Sequence, residues 1–376
     1  MIINRTPFRI SFFGGGTDYP SWYLKHGGSV LSTSIDKYCH ITCRVLPPFF
    51  EHRMRIVYAK TETCQNIDEI QHPSVREVLR FLKLDQGFEI HHDGDLPARS
   101  GVGSSSSFTV GLLHALYAHQ GIMPSKKQLA LESIHIEQNL IKETVGSQDQ
   151  ACVAYGGLNQ IDFFTNGEIE IRPLTLSTAR TEELNSHLML FYTGIKRTAS
   201  DVAASYAHNI DSRYKLLARI QEMVNEAVNI LCSNSCICKF GELLHESWML
   251  KKDLSSDVST PMVDAFYERA RGAGAIGGKI TGAGGGGFLL LFVPPSAQMT
   301  VREALGEQIL VPFHFEFSGS QIIFYEPERN DYSRAEKDRT KRIISTFREA
   351  DLARDSKRVK IVPIPGKREM DVEHKI

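Results

Sequence analysis

The stretch Leu96-Pro-Ala-Arg-Ser-Gly-Val-Gly-Ser-Ser-Ser-Ser-Phe-Thr-Val-Gly-Leu-Leu113 opens as a loop and closes as a helix. Phe108, Leu112 and Leu116 recur at one-turn spacing, with Val110, Leu113 and Tyr117 beside them, which predicts an apolar helical face. Ser104, Ser105 and Ser106 stand where helix N-caps belong. Gly101 and Gly103 let the backbone turn tightly and approach a ligand closely. Backbone N–H groups, three hydroxyls and the positive end of a helix dipole converge here, a combination that binds phosphate. Ser104 occupies the place where the common G-x-x-x-x-G-K-[ST] loop requires Lys, so this is a different kind of loop. A flexible Gly/Ser linker ahead of a helix is the competing reading.

The rest of the chain sets bounds on what that loop can serve. Its 376 residues allow two domains with real cores, and 42% hydrophobic with 23% charged residues is ordinary for a globular protein. A net charge of −1 gives nucleic acid or an acidic membrane nothing to attract. No apolar run approaches the ~20 residues of a membrane span. Met1-Ile-Ile-Asn-Arg leads straight into a strand pattern rather than a leader, and seven Cys without a framework suit a reducing cytoplasm. Cys232, Cys236 and Cys238 lack the paired spacing of a zinc site and read as buried thiols.

Upstream, Pro7 to Phe13 alternates as a strand and ends in Gly14-Gly-Gly-Thr-Asp-Tyr-Pro20, a turn with one carboxylate. Ser29 to Val45 and Phe88 to His92 read as strands, and Pro73 to Leu84 and Lys126 to Ile141 as helices. Asp149 lies between two Gln ahead of an apolar stretch, as a positioned base would; a plain cap residue is the alternative. Downstream, Thr165-Asn-Gly signals a hairpin, and Leu188 to Tyr192 a strand. A long helix spans roughly 198 to 232, with Lys196 and Arg197 at its start. Gly272 to Gly287 is a second Gly-rich run, followed by a buried strand, Phe288 to Val293. His314 to Tyr325 reads as a closing hairpin. The last 49 residues hold 14 Lys/Arg and 10 Asp/Glu and read as a charged extension.

Three of these stretches, in this order, resemble the GHMP kinases. They are Pro7-Phe-Arg-Ile-Ser-Phe-Phe-Gly-Gly-Gly-Thr-Asp-Tyr19, Pro97 to Ser106, and Lys279 to Phe288, with Gly146-Ser-Gln-Asp-Gln150 between the second and third. The resemblance covers about residues 1 to 326. It implies an α+β, two-lobed fold with the active site between lobes: an N-terminal domain at 1–165, a C-terminal domain at 166–327 and an extension at 328–376.

The same resemblance implies an ATP-dependent kinase using Mg²⁺. Pro97, Ser100, Gly101, Val102, Gly103, Ser104, Ser105 and Ser106 would hold ATP. Ser105 and Glu137 would be the metal ligands. Asp149 would be the base or orienting group, with Arg9 beside it. Gly15, Gly16, Thr17 and Asp18 would meet the sugar with Gly284; Lys196, Arg197 and Lys279 are candidates for a distal phosphate. Gly14-Gly-Gly-Thr-Asp resembles the branch that phosphorylates the anomeric hydroxyl of D-glycero-D-manno-heptose 7-phosphate, on the way to nucleotide-activated heptose. A kinase of a bare sugar such as fucose, and a non-catalytic sugar and ATP sensor, are the alternatives. The expected partners are small molecules and a second copy of the chain, with the tail dispensable for catalysis.

Overall fold

Strand β1 (Ile2–Phe13) pairs antiparallel along the 18-residue β2 (Gly28–Val45) in the computed structural model, which describes residues 1–195 and 213–328 together with Tyr332. The other edge of β2 is shared in succession. Residues 28–33 pair with β6 (Leu158–Phe163), 34–35 with β12 (Phe315–Glu316) and 39–45 with β5 (Phe88–Gly94). The expected strand at 29–45 thus forms, with Asp36 and Lys37 set in an irregularity where the register jumps from Tyr38 to Ile35. Beyond β5 the sheet continues through β3 (Met54–Val57) to β4 (Thr61–Cys64); β6 carries β7 (Ile169–Pro173), and β13 (Gln321–Tyr325) closes the far side on β1. The second sheet runs β11-β8-β10-β9, from Ile309–Val311, Leu188–Tyr192, Phe288–Phe292 and Gly277–Ile280.

Helix Ser104–His119 packs on β1 and β2. Phe108, Leu112, Leu116, Val110, Leu113 and Tyr117 are all buried, and the side laid on the sheet includes Ser107, whose hydroxyl donates to the Pro7 carbonyl, and Gly111, whose Cβ position would meet Thr6 and Ile41. Phe12 and Phe13 at the end of β1 meet Phe240 edge-on at 5.4 and 5.1 Å between centroids, and Phe240 meets Phe292 of β10 at 6.0 Å. These rings join the two sheets into one core. Among the described residues no helix is long and apolar enough to cross a membrane.

Several expectations change. The boundary at 165 falls inside the β6–β7 hairpin, whose partners are in the first sheet, and the chain crosses to the second sheet only after Pro173. The closing hairpin does not form: β12 pairs with β2 and β13 with β1, because each completes a different open edge of the first sheet. Helix Lys126–His135 stops short of 141 and widens into a π turn, Ile136–Leu140. All seven Cys are free, but Cys232 and Cys236 are exposed and Cys238 is half-buried rather than packed, since they lie where helices Tyr214–Cys232 and Cys238–Lys252 join at the surface. Most of the 328–376 extension and the first part of the helix expected from 198 lie outside the described residues.

The glycine run after β9 is pressed onto the loop that precedes helix Ser104–His119. A Cβ on Gly287, at φ +87°, would stand 2.1 Å from the Ser100 carbonyl oxygen, a distance no relaxation of a flexible side chain removes. Gly121 has a similar φ of +71° but nothing within 4 Å of its Cβ position. Gly121→Ala is expected to cost about 1–2 kcal/mol from backbone strain alone, and Gly287→Ala at least about 2 kcal/mol more, through backbone overlap. Urea unfolding of the two variants measures the difference; equal losses would show that the loops are not in contact.

Candidate active site

Arg9 leaves β1 with its side chain almost fully buried. Its Nε and Nη2 donate to the two carboxylate oxygens of Asp149, each at 2.6 Å, and Nη1 donates to the Gly101 carbonyl at 2.6 Å. Its backbone N–H donates to the Val102 carbonyl at 3.0 Å. Burial works against the guanidinium charge, and Asp149 outweighs it, so the Arg9 pKa is raised. Asp149 stands in the first turn of helix Gln148–Tyr155, near the positive end of its dipole, and keeps 25% of its side chain exposed.

Asp18 closes the turn after β1. Its Oδ1 accepts the Gly16 N–H at 2.9 Å, its Oδ2 accepts the Gln148 side-chain amide at 2.9 Å, and its carbonyl accepts the Ser147 N–H. Burial raises its pKa and the neighbouring Asp149 charge adds to this, against the pull of the Gly16 and Gln148 bonds. Gly16 faces Leu217 of helix Tyr214–Cys232, while Gly15 has only ordinary contacts. Thr17 is fully buried, and its hydroxyl donates to the Gly14 carbonyl. Thr17 therefore shapes the turn and does not line the cleft as expected.

The loop of Pro97 to Gly103 runs into helix Ser104–His119 with Gly103 at the N-cap in a left-handed conformation and no side-chain cap bond. The serines are thus not caps; Ser104 Oγ accepts the Arg99 N–H at 3.0 Å instead. Pro97 is exposed, Ser100 and Val102 are buried, and the Ser100 hydroxyl donates to the Pro97 carbonyl. An uncapped first turn leaves N–H donors available to an anion.

Glu137 lies in the π turn and is wholly buried. Its Oε2 accepts the Ser106 hydroxyl at 3.0 Å and the Gln150 amide, while Oε1 has no hydrogen-bond partner among the described residues. Burial, helped by the nearby Glu143 charge, pushes its pKa up to about 7. The hydroxyl brought to Glu137 belongs to Ser106; Ser105 is exposed, one helical step round. A buried acid with an unpaired oxygen and an adjacent hydroxyl form the hard oxygen donor set that Mg²⁺ favours, so the residues fit that ion.

Lys279 does not face the cleft as a phosphate ligand would. It is 3% exposed and donates to the Phe12 carbonyl at 2.9 Å, tying β9 to β1. Gly284 packs against Val258 in the glycine run. Lys196 and Arg197 lie outside the described residues. One buried group near Arg9 and Asp149 had no sequence signal at all: Lys251, a lysine beside another lysine at the end of helix Cys238–Lys252.

Residues 73–157 match the model of the GHMP kinases N-terminal domain and residues 231–309 that of the GHMP kinases C-terminal domain. The D-glycero-alpha-D-manno-heptose 7-phosphate kinase of Campylobacter jejuni subsp. jejuni serotype O:2 is 27% identical over 318 residues, covering 82% of this chain and 94% of that protein. The L-fucokinase/L-fucose-1-P guanylyltransferase of Bacteroides fragilis is 27% identical over 350 residues, 82% of this chain but 36% of that longer protein. The crystal structure of a D-glycero-D-manno-heptose 1-phosphate kinase from Bacteroides thetaiotaomicron superposes with a TM-score of 0.71 at 23% identity, over 87% of this chain and all of that one. With both domain models matched in order, and the glycine run of the second lying against the loop carried by the first, the chain carries the N- and C-terminal domains of the GHMP kinases and is an ATP-dependent phosphotransferase acting on an alcohol group.

Proposed function

We propose that this kinase acts on a sugar, and that its acceptor is the anomeric hydroxyl of D-glycero-D-manno-heptose 7-phosphate, giving the 1,7-bisphosphate. The observation that carries the catalytic reading is the Asp149 carboxylate, partly exposed and held on both oxygens by Arg9, which also grips the Gly101 carbonyl. One side chain thereby fixes the acceptor-activating carboxylate relative to the loop that would carry the nucleotide. The heptose reading is supported by the Campylobacter relative, matched over nearly its whole length, and by Gly14-Gly-Gly-Thr-Asp18, a turn without bulky side chains ahead of Thr17. The fucokinase relative favours a bare sugar as the second reading.

In this reading the N–H groups of Gly101 to Ser106 bind the ATP phosphates. Ser106 and Glu137 would hold Mg²⁺, which offsets phosphate charge when bound. Asp149 orients the acceptor hydroxyl and takes its proton. Gly15, Gly16 and Asp18 form the wall against which the sugar lies; each Asp18 oxygen accepts one protein donor and has a second lone pair for a sugar hydroxyl. Phosphoryl transfer asks the protein mainly for positioning and charge neutralisation, and these groups supply both.

Release of ADP, followed with a panel of acceptors, tests the substrate. The heptose 7-phosphate is expected to give a kcat/KM at least about tenfold above heptose, fucose and galactose. A bare sugar used better would reverse the assignment, and no turnover with any acceptor would favour the sensor. With the acceptor that works, Asp149→Asn is expected to fold and bind ATP but lose ~10²–10⁴-fold in kcat.

The two serines are separated by titrating Mg²⁺. Ser106→Ala and Glu137→Gln are expected to raise the concentration for half-maximal rate by about tenfold or more, and Ser105→Ala to change it little. The opposite ranking would return the metal-binding role to Ser105.

A further inference from the structure

Helix Cys238–Lys252 ends against the cleft, and Lys251 in its last turn points inward, 6% exposed. The Gly282 carbonyl is its one hydrogen-bond partner among the described residues. Gly282 lies in turn against the nucleotide loop, where a Cβ would stand 2.6 Å from the Gly101 Cα. The Gly101 carbonyl accepts from Arg9, and Arg9 holds Asp149. Direct contacts therefore run from Lys251 through Gly282, Gly101 and Arg9 to Asp149, around the place where a phosphoryl group would pass.

An ammonium has three N–H donors, and one of those on Lys251 is committed. The charged groups facing it are Arg9 from β1, Asp18 from the turn after β1, Asp149 from helix Gln148–Tyr155 and Lys279 from β9. Asp149 is taken up by Arg9, and Asp18 by Gly16 and Gln148. Helix Tyr214–Cys232 offers the exposed Lys215, and Arg219, Glu222 and Glu226; Arg219 pairs with both glutamates and with Glu246 on the solvent side. Arg9 and Asp149 neutralise each other, burial lowers the Lys279 pKa, and Lys251 keeps N–H donors that no acceptor among the described residues takes, so an anion completes the position.

We propose that Lys251 is a catalytic residue whose ammonium donates to the phosphoryl group in flight between nucleotide and acceptor. As the acceptor oxygen bonds to phosphorus, the bond from that phosphorus to the bridging oxygen of the nucleotide breaks. The electron pair leaves on the nucleoside diphosphate, and the hydroxyl proton goes to Asp149. Lys251 neither gives nor takes a proton; it meets charge on the equatorial oxygens. A phosphate at the far end of a seven-carbon acceptor would lie several bonds from the hydroxyl at Asp149, whereas Lys251 is grouped with Asp149 and Arg9. The proposal rests on transfer at Asp149 and not on which acceptor is used.

Burial, with Arg9 acting in the same direction and Asp18 and Asp149 opposing, lowers the Lys251 pKa to about 8. Its charge is present below that pH and lost above it, whereas an arginine stays charged. The test uses the full chain with ATP and whichever panel acceptor turns over. Lys251→Met is expected to lose about 10²-fold or more in kcat, with KM for both substrates within about threefold. The wild-type kcat is expected to fall as pH rises through about 8, and Lys251→Arg to carry that limb to higher pH.

A Lys251→Met kcat within about threefold of wild type, or a raised KM for a phosphorylated acceptor with kcat intact, overturns the proposal. Should Lys251→Met fail to fold, an alkaline limb unmoved in Lys251→Arg overturns it equally. Asp149→Asn run alongside separates the failures: if it is inactive while Lys251→Met is active, only the lysine's role falls; if both are active, the site reading falls with it.

Discussion

The carboxylate of Asp149 and the nucleotide loop are both held by one guanidinium. Arg9 presents a rigid planar fork, and the structure uses all of it: two nitrogens on Asp149, one on Gly101, and the backbone N–H of the same residue on Val102. The first strand, the nucleotide loop and the helix after the π turn are thereby held in one register. Breaking a buried pair of this kind typically costs about 3–5 kcal/mol, because the surviving charge is left uncompensated. The same side chain that aligns the site thus fixes the first strand against two segments that lie 92 and 140 positions further along the chain.

Around that pair the fold favours backbone contact over side-chain contact. The glycine run of the second sheet meets the nucleotide loop main chain to main chain, Gly282 on Gly101 and Gly287 on Ser100. Such approach leaves no room for side chains and leaves the charge balance to a few buried residues. Lys279 spans from β9 to the Phe12 carbonyl, and Lys251 from its helix to the Gly282 carbonyl. Two lysines thus secure the glycine-rich seam that side chains cannot fill.

The sequence makes the apolar and glycine features legible and hides those that depend on rotation or distance. The helix after the loop follows from Phe108, Leu112 and Leu116, and the buried strand from Phe288 to Val293, because burial periodicity is written directly in residue order. Arg9 and Asp149 come into view through motif order. The choice between Ser105 and Ser106 turns on about 100° of helix rotation, set by where Gly103 ends the loop. Lys279 sits inside a motif, yet its direction depends on a carbonyl 267 positions away. Lys251 looks like a solubilising lysine until the second sheet is folded against the first. The hairpin expected at 314–325 fails because two open edges of a distant sheet compete for its strands.

The edge of β1 has a bearing on how the molecule is assembled. One neighbour of that strand, β2, is made almost at once, but the other, β13, joins by the pairing of Ile2 with Tyr325 and Arg5 with Gln321. During synthesis the first strand therefore emerges long before the strand that covers its outer edge. Pairing over so great a separation requires closure of a very long loop and slows folding. Until β13 arrives, an uncovered strand edge is available to other chains. The strand that carries Arg9 is among the first parts of the core to be synthesised, and the strand that shields its edge is among the last.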